Sequence, residues 1–169
     1  EKADRIGGTW RDNRYPGLTC DVPAHAYTYE FAPNPEWSAY LVGGAEIQAY
    51  FEKVVEDYNV RPLIRFNSEI ASMVWKGDQW EIETIDGQRD NAHVAIMATG
   101  VLHFPKFPDI KGLESFAGRA MHTAQWDVDV DLTGKRIGVI GNGSTGVQMV
   151  TKLGKDGHDI VHFQRSPQW

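Results

Sequence analysis

Between Gly44 and Asn59 apolar residues recur at three- and four-residue intervals: Ile47, Tyr50, Phe51, Val54, Val55 and Tyr58. Glu46, Lys53, Glu56 and Asp57 fill the gaps. This is the period of a helix with one buried face, and it predicts a core helix over 44–59. Shorter runs then follow the rhythm of extended chain. Ile70–Trp75 and Trp80–Ile85 flank Lys76-Gly77-Asp78-Gln79, a hairpin signature, and Asp86-Gly87 makes a second turn. Leu63–Phe66 reads as a short strand. His93-Val94-Ala95-Ile96-Met97-Ala98 reads as a strand buried on both faces, ending at Thr99-Gly100. A connector punctuated by Pro105, Pro108 and Gly112 leads to a second unit. There a strand is predicted at 136–140, a helix at 145–153 and a strand at 159–163, in the order β-α-β.

Ahead of Gly44 the periodicity gives out. Residues 1–42 are dense in Gly, Pro and aromatics, as in Ile6-Gly7-Gly8-Thr9-Trp10 and Asn13-Arg14-Tyr15-Pro16-Gly17. So long an irregular stretch is either a functional segment or a disordered arm. Trp10, Tyr15, Tyr27, Tyr29, Phe31, Trp37 and Tyr40 argue against the arm, because disordered segments are aromatic-poor. No tandem repeat or low-complexity tract interrupts the chain.

Composition narrows the function classes. Seventeen Lys+Arg against 23 Asp+Glu give a net charge of −6 over 169 residues. That excludes a general nucleic-acid or anionic-membrane binder, yet leaves room for a local cation on a nucleotide phosphate. Cys20 is the single cysteine, so there is no internal disulfide and no Cys-rich zinc cluster, and no metal site is expected. No run of about 18 apolar residues and no basic-then-apolar leader is present, so the expectation is a soluble, cytoplasmic protein. The chain opens on Glu1 without Met and stops at Ser166-Pro167-Gln168-Trp169, and is expected to be a fragment.

Gly141-Asn142-Gly143-Ser144-Thr145-Gly146 is G-x-G-x-x-G, placed after a predicted strand and at the start of a predicted helix. Gly141 suits a tight turn, Gly143 a close approach of backbone to a pyrophosphate, and Gly146 close packing of helix on strand. The helix N-terminus supplies N–H groups and dipole to the phosphates. The alternative is a Gly-rich turn without a ligand. At the end of the next strand an NAD site carries Asp or Glu for the ribose 2′-OH; this chain has Gln164-Arg165-Ser166. Arg165 pairs well with a 2′-phosphate and Ser166 can donate beside it, which favours NADPH over NADH. Arg165 as an ordinary surface arginine is the competing reading. Glu1, followed by a loop and the Gly7-Gly8 pair, suits the ribose end of another nucleotide unit, or is a solvated charge. Two such folds in one chain suggest a flavin and a nicotinamide held face to face.

Several stretches together resemble the flavin-containing monooxygenases, specifically the Baeyer–Villiger type. They are Gly7-Gly8-Thr9-Trp10, Asn13-Arg14-Tyr15-Pro16-Gly17, Cys20-Asp21, Ala98-Thr99-Gly100, Gly141–Gly146 and Phe163-Gln164-Arg165-Ser166-Pro167. The most discriminating is Phe116 to Asp127, which fits F-x-G-x-x-x-H-x-x-x-W-(P/D) through Phe116, Gly118, His122, Trp126 and Asp127. The resemblance implies an α/β fold with two Rossmann-like dinucleotide-binding domains. Residues 1–105 would be a partial FAD-binding domain with a β-hairpin or meander insert. Residues 106–131 would be the linker carrying the fingerprint, and 132–169 a partial NADP-binding βαβ unit.

It also implies site residues. Glu1 matches the acid on the FAD ribose; Gly7, Gly8, Thr9 and Trp10 match the stretch lining the flavin. Asp21 and Tyr27 match positions near the isoalloxazine, and Ile70 a backbone contact to the adenine. Gly141, Asn142, Gly143, Ser144, Thr145, Gly146 and Val147 match the NADP pyrophosphate loop, with Arg165 and Ser166 at the 2′-phosphate. His122 and Trp126 look structural. Asp21 would act as an electrostatic partner in catalysis, or simply cap a turn after Pro16-Gly17. Thr19 stands where the family often has a basic residue. The first FAD glycine motif, the flavin-side arginine and the substrate-facing helical region fall outside the segment, so this chain alone is expected to be inactive. In the implied reaction NADPH reduces FAD, reduced flavin and O2 give a C4a-peroxide, and this attacks a small-molecule ketone to yield an ester or lactone. Competing readings are an N- or S-oxygenating relative, an NADPH oxidase relative, and a non-catalytic NADP-binding module.

Overall fold

The computed structural model describes residues 1–167, which form an α/β structure with two small sheets. The residues fall into two compact units: Glu1–Gly7 with Phe51–Val101, and Gly8–Tyr50 with the residues from Leu102 onward.

The first unit is built on an antiparallel meander of β1 (Ile70–Trp75), β2 (Trp80–Thr84) and β3 (Arg89–Ala92). The hairpin closes where predicted, with Trp75 opposite Trp80 and their rings 5.5 Å apart. Strand β3 has a polar sequence that alternation alone does not reveal. Turn chemistry makes it: Gly87 adopts φ 83°, its N–H donates to Thr84 O at 2.9 Å, and Gln88 N–H donates to Thr84 Oγ1 at 3.0 Å. Thr84 Oγ1 also bonds the Asp86 carboxylate, which holds that carboxyl below its ordinary pKa.

Two predicted strands are absent. Residues 61–63 form a 3-10 turn and no strand follows at 63–66; Pro62 fixes φ and removes a donor at the turn's start. The run 93–98 joins no sheet, because the meander ends at Ala92 and no described strand lies alongside it. Its apolar side chains face solvent, with Val94 73%, Ile96 87% and Met97 69% exposed. A both-faces-apolar pattern specifies a strand only where neighbours supply the hydrogen-bond ladder.

The second unit holds α1 (Thr9–Asp12), the first half of α2 (Gly44–Asp57), and β4 (Arg136–Ile140), α3 (Ser144–Lys155) and β5 (Asp159–Phe163). Strands β4 and β5 pair in parallel from Arg136 opposite Asp159 to Ile140 opposite Phe163. Helix α2 matches its predicted span to within two residues and buries Ile47, Tyr50 and Val54 of the predicted stripe; Phe51 and Val55 are half-buried, and Tyr58, just past the helix end, is exposed. The aromatic-rich opening segment is packed chain, not an arm: Trp10, Tyr15 and Trp37 are buried. Tyr15 joins Met149 and Leu153 of α3 in a core lined by Leu18, Trp126, Leu132, Ile137 and Ile160.

Tyr50 holds the loop above α2. Its hydroxyl accepts from Tyr29 N–H and donates to Ala32 O, both at 2.8 Å. Tyr50→Phe removes both bonds while keeping the ring. It is expected to lower stability by about 1–3 kcal/mol, read from the urea midpoint at unchanged slope.

Candidate functional site

The glycine loop satisfies each physical demand separately. Strand β4 ends at Ile140, and Gly141 turns the chain at φ 104°, a left-handed conformation that favours glycine. A Cβ on Gly146 would lie 2.1 Å from Gly141 O, so the helix can sit this close to the strand end only without a side chain. Gly143 is different. It has φ −69° and no heavy atom within 4 Å of where a Cβ would be, so protein packing does not demand glycine there. That open space beside the first turn of α3 is room for a ligand to meet backbone. The turn's leading N–H groups have no partner inside the helix. The residues present therefore fit a pyrophosphate.

Two side chains brace this loop. His162 on β5 places Nε2 2.8 Å from Gly141 O, where the ring N–H donates, and Gln164 Nε2–H donates to His162 Nδ1 at 3.2 Å. Asn142 Nδ2–H donates to Ser166 O and, at 3.4 Å, to Gln164 Oε1. The loop is thus tied to the strand end that carries Arg165 and Ser166, both exposed. Sequence reasoning missed His162. Its signal was a polar residue inside the apolar run of β5, two positions before Gln164.

Asp21 lies beside the same helix. Ser144 Oγ–H donates to Asp21 Oδ2 at 2.8 Å, joining two residues that the sequence reading gave to different cofactors. Behind them Tyr15 OH donates to Gln148 Oε1 at 2.9 Å, and Thr145 Oγ1 is 3.4 Å from the same phenol oxygen. Burial pushes the Tyr15 phenol up, the hydrogen bond to Thr145 opposes this, and the Asp21 charge adds to the rise. Tyr15 therefore stays a neutral donor. Gly17, at φ 83°, lets this loop lie on α3: a Cβ there would be 2.6 Å from Gln148 O.

In the first unit Glu1 and Ile70 line one cavity of about 690 Å³, together with Arg65, Ser68, Thr84 and Asp90. Glu1 Oε1 accepts from Ala3 N–H at 2.9 Å, and Arg65 pairs with Asp90 at 3.1 Å. A carboxylate at the edge of such a cavity is the acceptor a ribose diol needs. Gly7 takes φ 119°. In the second unit Gly8, at φ 49°, is followed by Thr9 at the start of α1. Trp10 Nε1–H donates to Tyr27 OH at 3.2 Å, with the rings edge to face at 5.7 Å.

Of the fingerprint residues His122 and Trp126 pack against neighbours, whereas Phe116 is largely exposed. Trp126 lies against the α3 core, and Arg119 pairs with Asp127. His122 Nδ1 accepts from Ala124 N–H at 3.1 Å, capping the 3-10 turn Thr123–Gln125, with its ring against Phe107. Gly118 leaves space for the Phe116 ring, which a Cβ would meet at 2.5 Å. Among the described residues no three His, Cys, Asp or Glu gather to hold a metal, and no helix is long and apolar enough to cross a membrane.

Residues 21–169 match the family model described as pyridine nucleotide-disulphide oxidoreductase. The chain is 47% identical over 171 residues to a Baeyer–Villiger monooxygenase of Streptomyces coelicolor, covering 100% of this chain and 33% of that protein. Among solved structures it is similar to a mutant cyclohexanone monooxygenase from Rhodococcus sp. Phi1 bound to NADP+. There the TM-score is 0.90 at 38% identity, over 100% of this chain and 34% of the other. It is likewise similar to OTEMO in complex with FAD and NADP, with TM-score 0.86 at 35% identity over 99% and 34%. The chain spans about a third of the length of the relatives it matches.

Proposed function

Because the chain belongs to the pyridine nucleotide-disulphide oxidoreductase family, we propose that it serves an NADPH- and FAD-dependent monooxygenase of the Baeyer–Villiger type. The complete cytoplasmic protein would insert one oxygen of O2 beside a small-molecule ketone carbonyl to give an ester or lactone. The observation that carries the dinucleotide half is the glycine loop: a Cβ on Gly146 would lie 2.1 Å from Gly141 O, while the space beside Gly143 is open. The oxygenation chemistry is supported by likeness, over all of this chain and about a third of each relative, to a Baeyer–Villiger monooxygenase and to a cyclohexanone monooxygenase.

In this reading residues 1–105 belong to the FAD-binding part, 106–131 to the linker and 132–169 to the NADP-binding part. When bound, NADPH supplies hydride and FAD supplies its acceptor and the activation of O2. The chain's own residues hold and orient. First-turn amides of α3 and the loop Gly141–Val147 take the pyrophosphate, with Arg165 and Ser166 on the 2′-phosphate. Glu1 accepts from the FAD ribose, Ile70 offers backbone to the adenine, and Gly7, Gly8, Thr9, Trp10 and Tyr27 line the flavin. Asp21, held by Ser144, stands near the isoalloxazine as an electrostatic partner in catalysis.

The test is product identity. Given NADPH, O2, cyclohexanone and a thioether, the complete protein is expected to form lactone. Sulfoxide without lactone makes it an N- or S-oxygenating relative instead. NADP+ binding with no flavin retained through gel filtration makes it a non-catalytic NADP-binding module.

A further inference from the structure

Helix α3 does more than present a glycine loop. Ser144 and Gln148 are four residues apart, so their side chains stack on one helix face. Both reach the same short segment, Thr19–Asp21, which lies over 120 positions away in sequence. Ser144 holds the Asp21 carboxylate at 2.8 Å. Gln148 grips the backbone two residues earlier: Nε2–H donates to Thr19 O at 3.0 Å, while Oε1 accepts from Thr19 N–H at 3.4 Å. One primary amide thus engages both backbone groups of one residue, as a neighbouring strand would. Tyr15 OH makes the third bond to this amide by donating to Oε1, and its buried phenol keeps that donor in place. Gly17 removes the side chain that would otherwise wedge loop from helix.

We propose that Gln148 is a positioning residue that couples dinucleotide occupancy of the Gly141–Gly146 loop to the placement of Asp21. The inference rests on the reading that this loop binds NADP. A pyrophosphate on the first-turn amides fixes the turn that carries Ser144, and Gln148 one turn later fixes Thr19. Occupancy at one end of the segment and order at the other are then linked reciprocally. Replacing the amide uncouples them without touching the glycines.

The experiment follows amide hydrogen exchange of the complete protein with and without NADP+, alongside calorimetric titration. In the unsubstituted protein NADP+ is expected to slow exchange at Thr19–Asp21 by about fivefold or more. In Gln148→Leu the slowing is lost while NADP+ still binds. Gln148→Glu keeps the acceptor but sets a carboxylate against Thr19 O, so it must lose the slowing too; it decides the matter if the leucine variant does not fold. In turnover both variants are expected to lose kcat and keep the KM for NADPH. Equal slowing in the variants, or unsubstituted Thr19–Asp21 amides indifferent to bound NADP+, overturns the coupling alone. A raised KM with kcat intact overturns it as well, making Gln148 a cofactor ligand. No NADP+ binding by the unsubstituted protein overturns the dinucleotide reading itself.

Discussion

Gly146→Ala is expected to cut NADP+ affinity about 100-fold, the equivalent of losing one charge-assisted hydrogen bond to the pyrophosphate. The new Cβ would lie 2.1 Å from Gly141 O, and neither atom can rotate away. Alanine gains roughly 1 kcal/mol of helix propensity over glycine. Overpacking against backbone costs about 1–3 kcal/mol or more, so the clash wins and the loop must shift. Stability falls along with binding. Gly143→Ala separates the two effects, since its Cβ meets no protein atom and its φ of −69° suits any residue. There the unfolding free energy should hold to within about 0.5 kcal/mol, while NADP+ binding drops tenfold or so. Urea unfolding and calorimetry on both variants give the comparison. A Gly143→Ala protein that binds normally would show that the open side of the loop faces no ligand.

Arg165→Ala carries the second large effect. If Arg165 forks onto the 2′-phosphate, its loss should raise the KM for NADPH by about 10- to 100-fold. NADH lacks that phosphate, so its KM should barely move. The ratio of the two kcat/KM values is the measurement, and equal losses with both cofactors would remove Arg165 from the site. The ratio should also fall with added salt in the unsubstituted protein, because Arg165 is exposed and its pairing is screened. Asn142 contributes indirectly by holding Ser166 O, which fixes the course of the segment that bears Arg165.

Local signals were legible wherever the chemistry of an element lies in neighbouring residues. Helix α2 announced itself by period, the β1–β2 hairpin by its turn, and β4-α3-β5 by apolar runs around the glycine motif. What periodicity could not supply was pairing. Residues 93–98 have the composition of an interior strand but no described neighbour, and Arg89–Ala92 lack that composition yet pair because Thr84, Gly87 and Gln88 close the turn. The site was legible in the same uneven way. The glycines sit in one hexapeptide and were read directly. The clasp of Tyr15, Thr19 and Asp21 on Ser144 and Gln148 joins residues about 130 positions apart, and no spacing rule reaches that far. His162 was hidden because a polar residue within a strand has many possible partners; only the fold shows that its partner is Gly141 O.

Cys20 is 2% exposed, sits between the two residues that α3 grips, and donates its N–H to Val42 O at 3.0 Å. A thiol reagent larger than water cannot reach its sulfur while the segment stays closed. Each modification event must therefore wait for the strip to lift away, and under excess reagent the labelling rate becomes a clock for that opening. Since the chain has one cysteine, the clock has one hand. It times the same strip of backbone on which Asp21 rides, with no engineered probe in this chain.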